Sequence, residues 1–192
     1  MLFIIVYHRI EIVLGGGLLF SIAALFMILF KSYRLKRILI FLNPWQDPLG
    51  RGFQIIQSLI AIVNGQWWGV GFGHSQQKMF YLPMQHTDFI FSVICEEIGI
   101  FGSVFLVTVL FFVVGLLIFF SYQAKNIFNQ IALLGFAIMF FLQASINILV
   151  SISLLPTKGI GLPFISYGVS SIIGCFVIVG IVFSLLLESK RA

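Results

Sequence analysis

Six acidic side chains, three histidines and eleven lysines and arginines are all that 192 residues offer for proton transfer, charge stabilisation or metal binding. Four of the acids, Asp47, Asp88, Glu96 and Glu97, share one stretch with six cations, Lys31, Arg34, Lys36, Arg37, Arg51 and Lys78. The same stretch holds the run Gly65-Gln66-Trp67-Trp68-Gly69-Val70-Gly71-Phe72-Gly73-His74-Ser75 and, soon after it, Leu82-Pro83-Met84-Gln85-His86-Thr87-Asp88-Phe89. Alternating glycines suggest a phosphate cradle, but no strand precedes them and no helix follows directly, so a dinucleotide fingerprint is unsupported. Composition alone reads the run as a tight loop with Trp67 and Trp68 as interfacial anchors. Asp88 and Glu96 are candidates for the paired carboxylates of a glycosidase. On one helix they would stand about 80° apart around the axis and about 12 Å apart along it, outside the roughly 5 to 9.5 Å that such pairs use. Glu97 fits worse still. Any catalytic role of Asp88 would thus be that of a lone base, with Glu96 and Glu97 structural or oriented toward another helix. Thr87-Asp88 ahead of an apolar run is also a helix N-cap pattern, and the two roles can coexist. His86 is placed to orient a carboxylate or a substrate, or simply to complete a loop hydrogen bond. Cys95 and Cys175 have no CxxC or CxxH neighbour, which argues against a zinc site or redox motif, and both read as buried thiols.

The elements that must position these residues are membrane helices. The chain is 60% hydrophobic and 9% charged with a mean hydropathy of +1.14, against roughly 25% charged residues in soluble domains. Four stretches, 12–30, 98–120, 127–150 and 166–187, reach the length a helix needs to cross a bilayer. An all-α, polytopic membrane protein is expected, with both termini on one side and no signal peptide. The opening residues resemble the tail of another helix, so the chain is expected to be the C-terminal part of something longer. Connections 121–126 and 151–165 are short, whereas 31–97 is long and is expected to carry the function. Within it, 53–63 is an apolar run too short to span, with Gln54, Gln57, Ser58 and Ala61 on one stripe, which suits an interfacial or re-entrant helix. Gln143, Asn147 and Ser151 make a second stripe, read as interhelical hydrogen bonding or, alternatively, as a polar transport path. Gly168 and Val169 to Ser171 read as helix packing. With cytoplasmic termini, seven of the eleven cations fall outside, against the positive-inside tendency. Either the long loop is cytoplasmic or its cations are held outside to bind an anion. A +5 charge that is not gathered on a soluble face excludes nucleic-acid modules.

Taken in series, the motifs resemble the SEDS family (shape, elongation, division and sporulation) of bacterial cell-wall synthesis. They are Arg34-Leu35-Lys36-Arg37, Asn43-Pro44-Trp45-Gln46-Asp47-Pro48, Gly52-Phe53-Gln54 with Gln57-Ser58-Leu59-Ile60-Ala61, the glycine run, His86-Thr87-Asp88-Phe89, Glu96-Glu97-Ile98-Gly99, and Leu155-Pro156-Thr157-Lys158-Gly159 with Leu162-Pro163-Phe164-Ile165-Ser166-Tyr167-Gly168. The Asn-Pro-Trp-x-Asp-Pro and Pro-Thr-Lys-Gly versions resemble the division branch more than the elongation branch. The resemblance implies a ten-helix protein of the bacterial plasma membrane, at the division septum, with 31–97 extracytoplasmic. It implies a peptidoglycan glycosyltransferase that polymerises lipid II beside a class B penicillin-binding protein and other division proteins. Asp88 would be its catalytic residue and general base, and Arg34, Arg37, Gln54, Lys78, His86, Lys158 and Ser166 would contact substrate. For Lys78 and Lys158 the alternative is snorkelling at the interface. No cofactor is required by this chemistry, and a divalent cation is compatible with it. Met84 stands where the family commonly has Glu, so a carboxylate near the base is lost. Val169 replaces a usual Gly and is expected to perturb packing. The rival readings are a lipid II flippase or transporter and a non-catalytic membrane fragment of the division machinery.

Overall fold

The structure, a computed structural model of the chain, describes residues 15, 39–50, 52–75, 77, 89–157 and 159–191. Among the described residues the regular structure is all helical: a 3-10 turn at Pro44–Gln46, then α1 (Phe53–Gly65), α2 (Ile90–Gln123), α3 (Ile127–Ser151) and α4 (Val169–Arg191). Helices are what lipid permits, because each satisfies its own backbone polar groups. α2, α3 and α4 are each long and apolar enough to cross a membrane. The expected first span, 12–30, lies outside the described residues apart from Gly15. α1, with 13 residues, is about 20 Å long and too short to span, as its apolar run predicts.

α2 departs from expectation at its start. It begins at Ile90 rather than near 98, and it is broken at Gly99 (φ 70°, ψ −173°) into an arm, 90–98, and a span, 100–123. The apolar stretch read from composition thus marks the break and misses the arm, because the arm contains Glu96 and Glu97. α2 and α3 form a hairpin. Its turn is held by Ser121 Oγ donating to the Gln130 carbonyl at 2.8 Å. Asn126 Oδ1 accepts from the Phe128 amide at 3.0 Å and caps α3. Val114 and Leu117 of α2, Leu133, Ala137 and Phe140 of α3, and Cys175, Val182 and Leu185 of α4 form the main core. Both cysteines are free and buried, as expected. A second cluster joins Phe89 and Val93 of the arm to Val150 of α3. Phe105, Phe112 and Phe119 of α2 and Phe176 and Phe183 of α4 are exposed on the outer faces.

The small and polar stripe of α1 faces the protein. Ser58 and Ala61 are fully buried, while Gln54 and Gln57 are half-buried. Ser58 Oγ shares a hydrogen bond with Ser92 Oγ of the arm and donates to the Ser151 carbonyl of α3 at 2.7 Å, tying three helices at one point. Val169, expected to disturb packing, is exposed at the first residue of α4.

Candidate functional site

The glycine run and the break in α2 form one joint. In an unbroken helix the amides of residues 100 and 101 would donate to the carbonyls of 96 and 97. Here the Ile100 amide donates to the Gln66 carbonyl at 2.9 Å and the Phe101 amide to the Trp67 carbonyl at 3.4 Å. In return the Val70 amide donates to the Glu96 carbonyl at 2.9 Å and the Gly71 amide to the Glu97 carbonyl at 3.0 Å. Two helical bonds are exchanged for two pairs with the loop, so the break leaves none of these groups orphaned in an apolar setting. The exchange needs backbone against backbone. A Cβ on Gly69 would meet the Glu97 carbonyl, and one on Gly99 would meet Gly69 N and the Trp67 carbonyl. Of the glycines in the run, a weak signal for phosphate binding, Gly65 and Gly69 serve this close approach, whereas Gly71 and Gly73 meet no such obstacle and instead take left-handed φ values of 101° and 78°.

Side chains reinforce the joint. Ser75, at the end of the run, donates to Glu96 Oε2, and both residues are 1% exposed. That bears on the expectation that Glu96 is structural. Trp67 and Trp68 flank Phe101, with ring centroids 5.5 and 5.2 Å away. Trp68 and Phe72 remain more than 80% exposed. Their place beside the first turn of the α2 span suits rings at a membrane interface.

On the opposite side, the polar stripe of α3 seats the connection to α4. Gln143 Nε2 donates to the Gly161 carbonyl at 3.0 Å and Asn147 Nδ2 to the Ile160 carbonyl at 2.8 Å. Within that connection Leu162 and Pro163 are buried, and Phe164 packs on Phe140 with centroids 5.2 Å apart. The amide of Leu162 donates to Ser166 Oγ while the Ser166 amide donates to the Leu162 carbonyl at 3.0 Å, closing a tight turn.

Two of the eight residues singled out from sequence are therefore placed. Gln54 lies half-buried in the first turn of α1, and Ser166 lies buried in the turn before α4. Asp88, Arg34, Arg37, Lys78, His86 and Lys158 lie outside the described residues, as does Met84. The cap position of α2 falls to Phe89, one residue after Asp88. Sequence reasoning missed the buried contact between Ser75 and Glu96 and the meeting of Ser58, Ser92 and Ser151. The signal for the latter was limited to Ser58 and Ser92 among apolar neighbours, since Ser151 takes part through its backbone carbonyl, which any residue would supply. Among the described residues no three His, Cys, Asp or Glu side chains come together as metal ligands, so no divalent cation site is assigned.

Comparison with known proteins places this geometry in context. The family model for FtsW, RodA and SpoVE, described as cell cycle protein, matches residues 1–191. A probable peptidoglycan glycosyltransferase FtsW of Geobacter sp. is 42% identical over 184 residues, covering 96% of this chain and 50% of its own. The protein of the same name in Alkalilimnicola ehrlichii is 46% identical over 178 residues, covering 90% and 43%. A solved chain, from work on the structural coordination of polymerization and crosslinking by a peptidoglycan synthase complex, superimposes with a TM-score of 0.76 at 30% identity. That match covers 100% of this chain and 53% of the solved one. The chain spans about half the length of the relatives it matches.

Proposed function

The chain belongs to the FtsW/RodA/SpoVE family of cell cycle proteins, and we propose from that membership that it serves in a peptidoglycan glycosyltransferase that polymerises lipid II during cell division. The observation that carries this reading is that likeness to proteins named as that glycosyltransferase runs through almost the whole chain, including the loop, the arm and the spans. In this reading the chain lies in the bacterial plasma membrane at the septum, 31–97 is extracytoplasmic, and a class B penicillin-binding protein and other division proteins are partners.

The reaction needs little from the protein besides one base and fixed positive charge. An acceptor sugar hydroxyl gives its proton to Asp88 as its oxygen bonds to the anomeric carbon of the donor. The bond from that carbon to the pyrophosphate oxygen breaks, and pyrophosphate leaves with the electron pair. Arg34, Arg37, Lys78 and Lys158 supply charge-assisted hydrogen bonds to the departing anion, which removes the need for a general acid. This assignment also gives a reason for cations kept outside. Gln54 and His86 contact sugar or peptide, and Ser166 contributes through the turn it closes.

A base of this kind is worth about a hundredfold to ten-thousandfold in rate. The protein reconstituted with its penicillin-binding partner and labelled lipid II should yield glycan ladders, and Asp88→Ala should lower the rate by about a hundredfold or more. Ladders of equal intensity from Asp88→Ala would remove Asp88 from the chemistry. The flippase reading rests on the polar stripe of α3 together with the cationic loop, and in that stripe Gln143 and Asn147 are engaged with the 160–161 backbone.

A further inference from the structure

Glu96 holds the glycine loop at two points. Its carbonyl accepts from the Val70 amide at 2.9 Å, and its carboxyl accepts from Ser75 Oγ. A carboxyl group is costly to bury in an apolar interior unless it is paired, yet Glu96 is 1% exposed with Ser75 equally buried against it. Along the same arm, Phe89 is 1% exposed and packs with Val93 against Val150. Phe89 and Glu96 are seven residues apart on one helix, about 10 Å along its axis. The chain that leaves Ser75 and returns at Phe89 carries Lys78, His86 and Asp88. Both of its ends are thereby tied to one rigid arm, and the arm is tied to α1 and α3 through Ser92 and Ser58.

We propose that Glu96 is a positioning residue of the glycosyltransferase site: through its hydrogen bond from Ser75 it fixes where the chain enters the stretch that ends at Asp88. The inference rests on the polymerase reading above and adds a residue that acts without touching substrate. The glutamate is used for reach and for hydrogen-bond acceptance. A glutamine of the same length can accept from Ser75 as well, whereas alanine cannot.

The test is steady-state polymerisation of lipid II by the full-length protein with its partner in liposomes, comparing wild type, Ser75→Ala, Glu96→Ala, Glu96→Gln and the double alanine variant. Displacing a catalytic group by about 1 Å costs up to a hundredfold, so Ser75→Ala and Glu96→Ala should each lower kcat by about ten- to a hundredfold. KM for lipid II should stay within about twofold, the mark of an effect on the reacting geometry rather than on binding. Glu96→Gln should keep most of the rate, and the double variant should be no slower than the slower single one, because both remove the same link. Wild-type kcat in Ser75→Ala, or multiplied losses in the double variant, would overturn the proposal. Glu96→Gln as slow as Glu96→Ala would overturn it too, since charge and not the hydrogen bond would then be at work. Folding is followed by tryptophan emission, which reports on this joint because Trp67 and Trp68 are two of the three tryptophans. Should Glu96→Ala not fold, Ser75→Ala, which removes one hydroxyl, decides alone. An inactive wild type would sink the polymerase reading and this inference together, whereas an active wild type with unaffected Ser75→Ala would sink only the inference.

Discussion

Gly99 is the residue on which the joint turns. Its φ of 70° with ψ of −173° lies in a region open in practice to glycine alone, where another residue costs about 1–3 kcal/mol. A Cβ there would also press on Gly69 N and the Trp67 carbonyl, which are backbone and cannot swing away. Gly99→Ala should therefore destabilise the protein by at least about 2 kcal/mol, seen as a lower midpoint in thermal unfolding in detergent. Gly115→Ala is the contrast. Nothing stands within 4 Å of a Cβ at Gly115 in the α2 span, and the change should be neutral or stabilising by about 0.5–1 kcal/mol. Equal effects of the two substitutions would deny the joint its strain. The sequence shows that position 99 is a glycine in Glu-Glu-Ile-Gly, but its conformation arises from a loop some thirty residues earlier in the chain. Ser75 and Glu96 are illegible for the same reason: each is ordinary among its sequence neighbours, and only the exchange of backbone bonds brings them together.

At the scale of elements, three of the four expected spans are present and the fourth falls outside the described residues. Apolar length reveals a span because lipid tolerates little else. It does not reveal the α2 arm, where Glu96 is buried against Ser75 from another segment and Glu97 is half-buried. The stripe on α1 was legible, but its direction was not: small polar residues look like a wet face until Ser92 and the Ser151 carbonyl are seen to receive Ser58. Hydrogen exchange in lipid nanodiscs tests the joint as an element. The amides of Val70, Gly71, Ile100 and Phe101 should exchange slowly and should all be released together by Gly69→Ala. Independent release of the loop amides would show that the two halves do not act as a unit. The seating of the connection on α3 gives another expectation. Asn147→Ala removes a donor to the Ile160 carbonyl and should cost about 1–2 kcal/mol. Limited proteolysis should then cut faster within 152–168 while helix content by circular dichroism holds.

For the whole molecule, the outer faces of α2 and α4 present Phe105, Phe112, Phe119, Phe176 and Phe183 to the surroundings, which is the pattern of a protein whose solvent is lipid. Phe112 sits near the middle of the α2 span. Phe112→Asp should raise the apparent cost of inserting that span by about 2.5–3.5 kcal/mol, measurable as lost insertion in a glycosylation-tag assay. Val113, less exposed on the same turn, is not a substitute, because polar groups turned toward neighbouring helices find partners there. The joint between the loop and α2 has one more consequence for how such a chain varies. Its four bonds run between backbone groups, so Val70 and Ile100 take part without using their side chains, while the number of residues in the two segments is fixed. Deleting or inserting a single residue in either segment would slide each donor past its acceptor, so the molecule has to accept changes of length elsewhere and keep the count here.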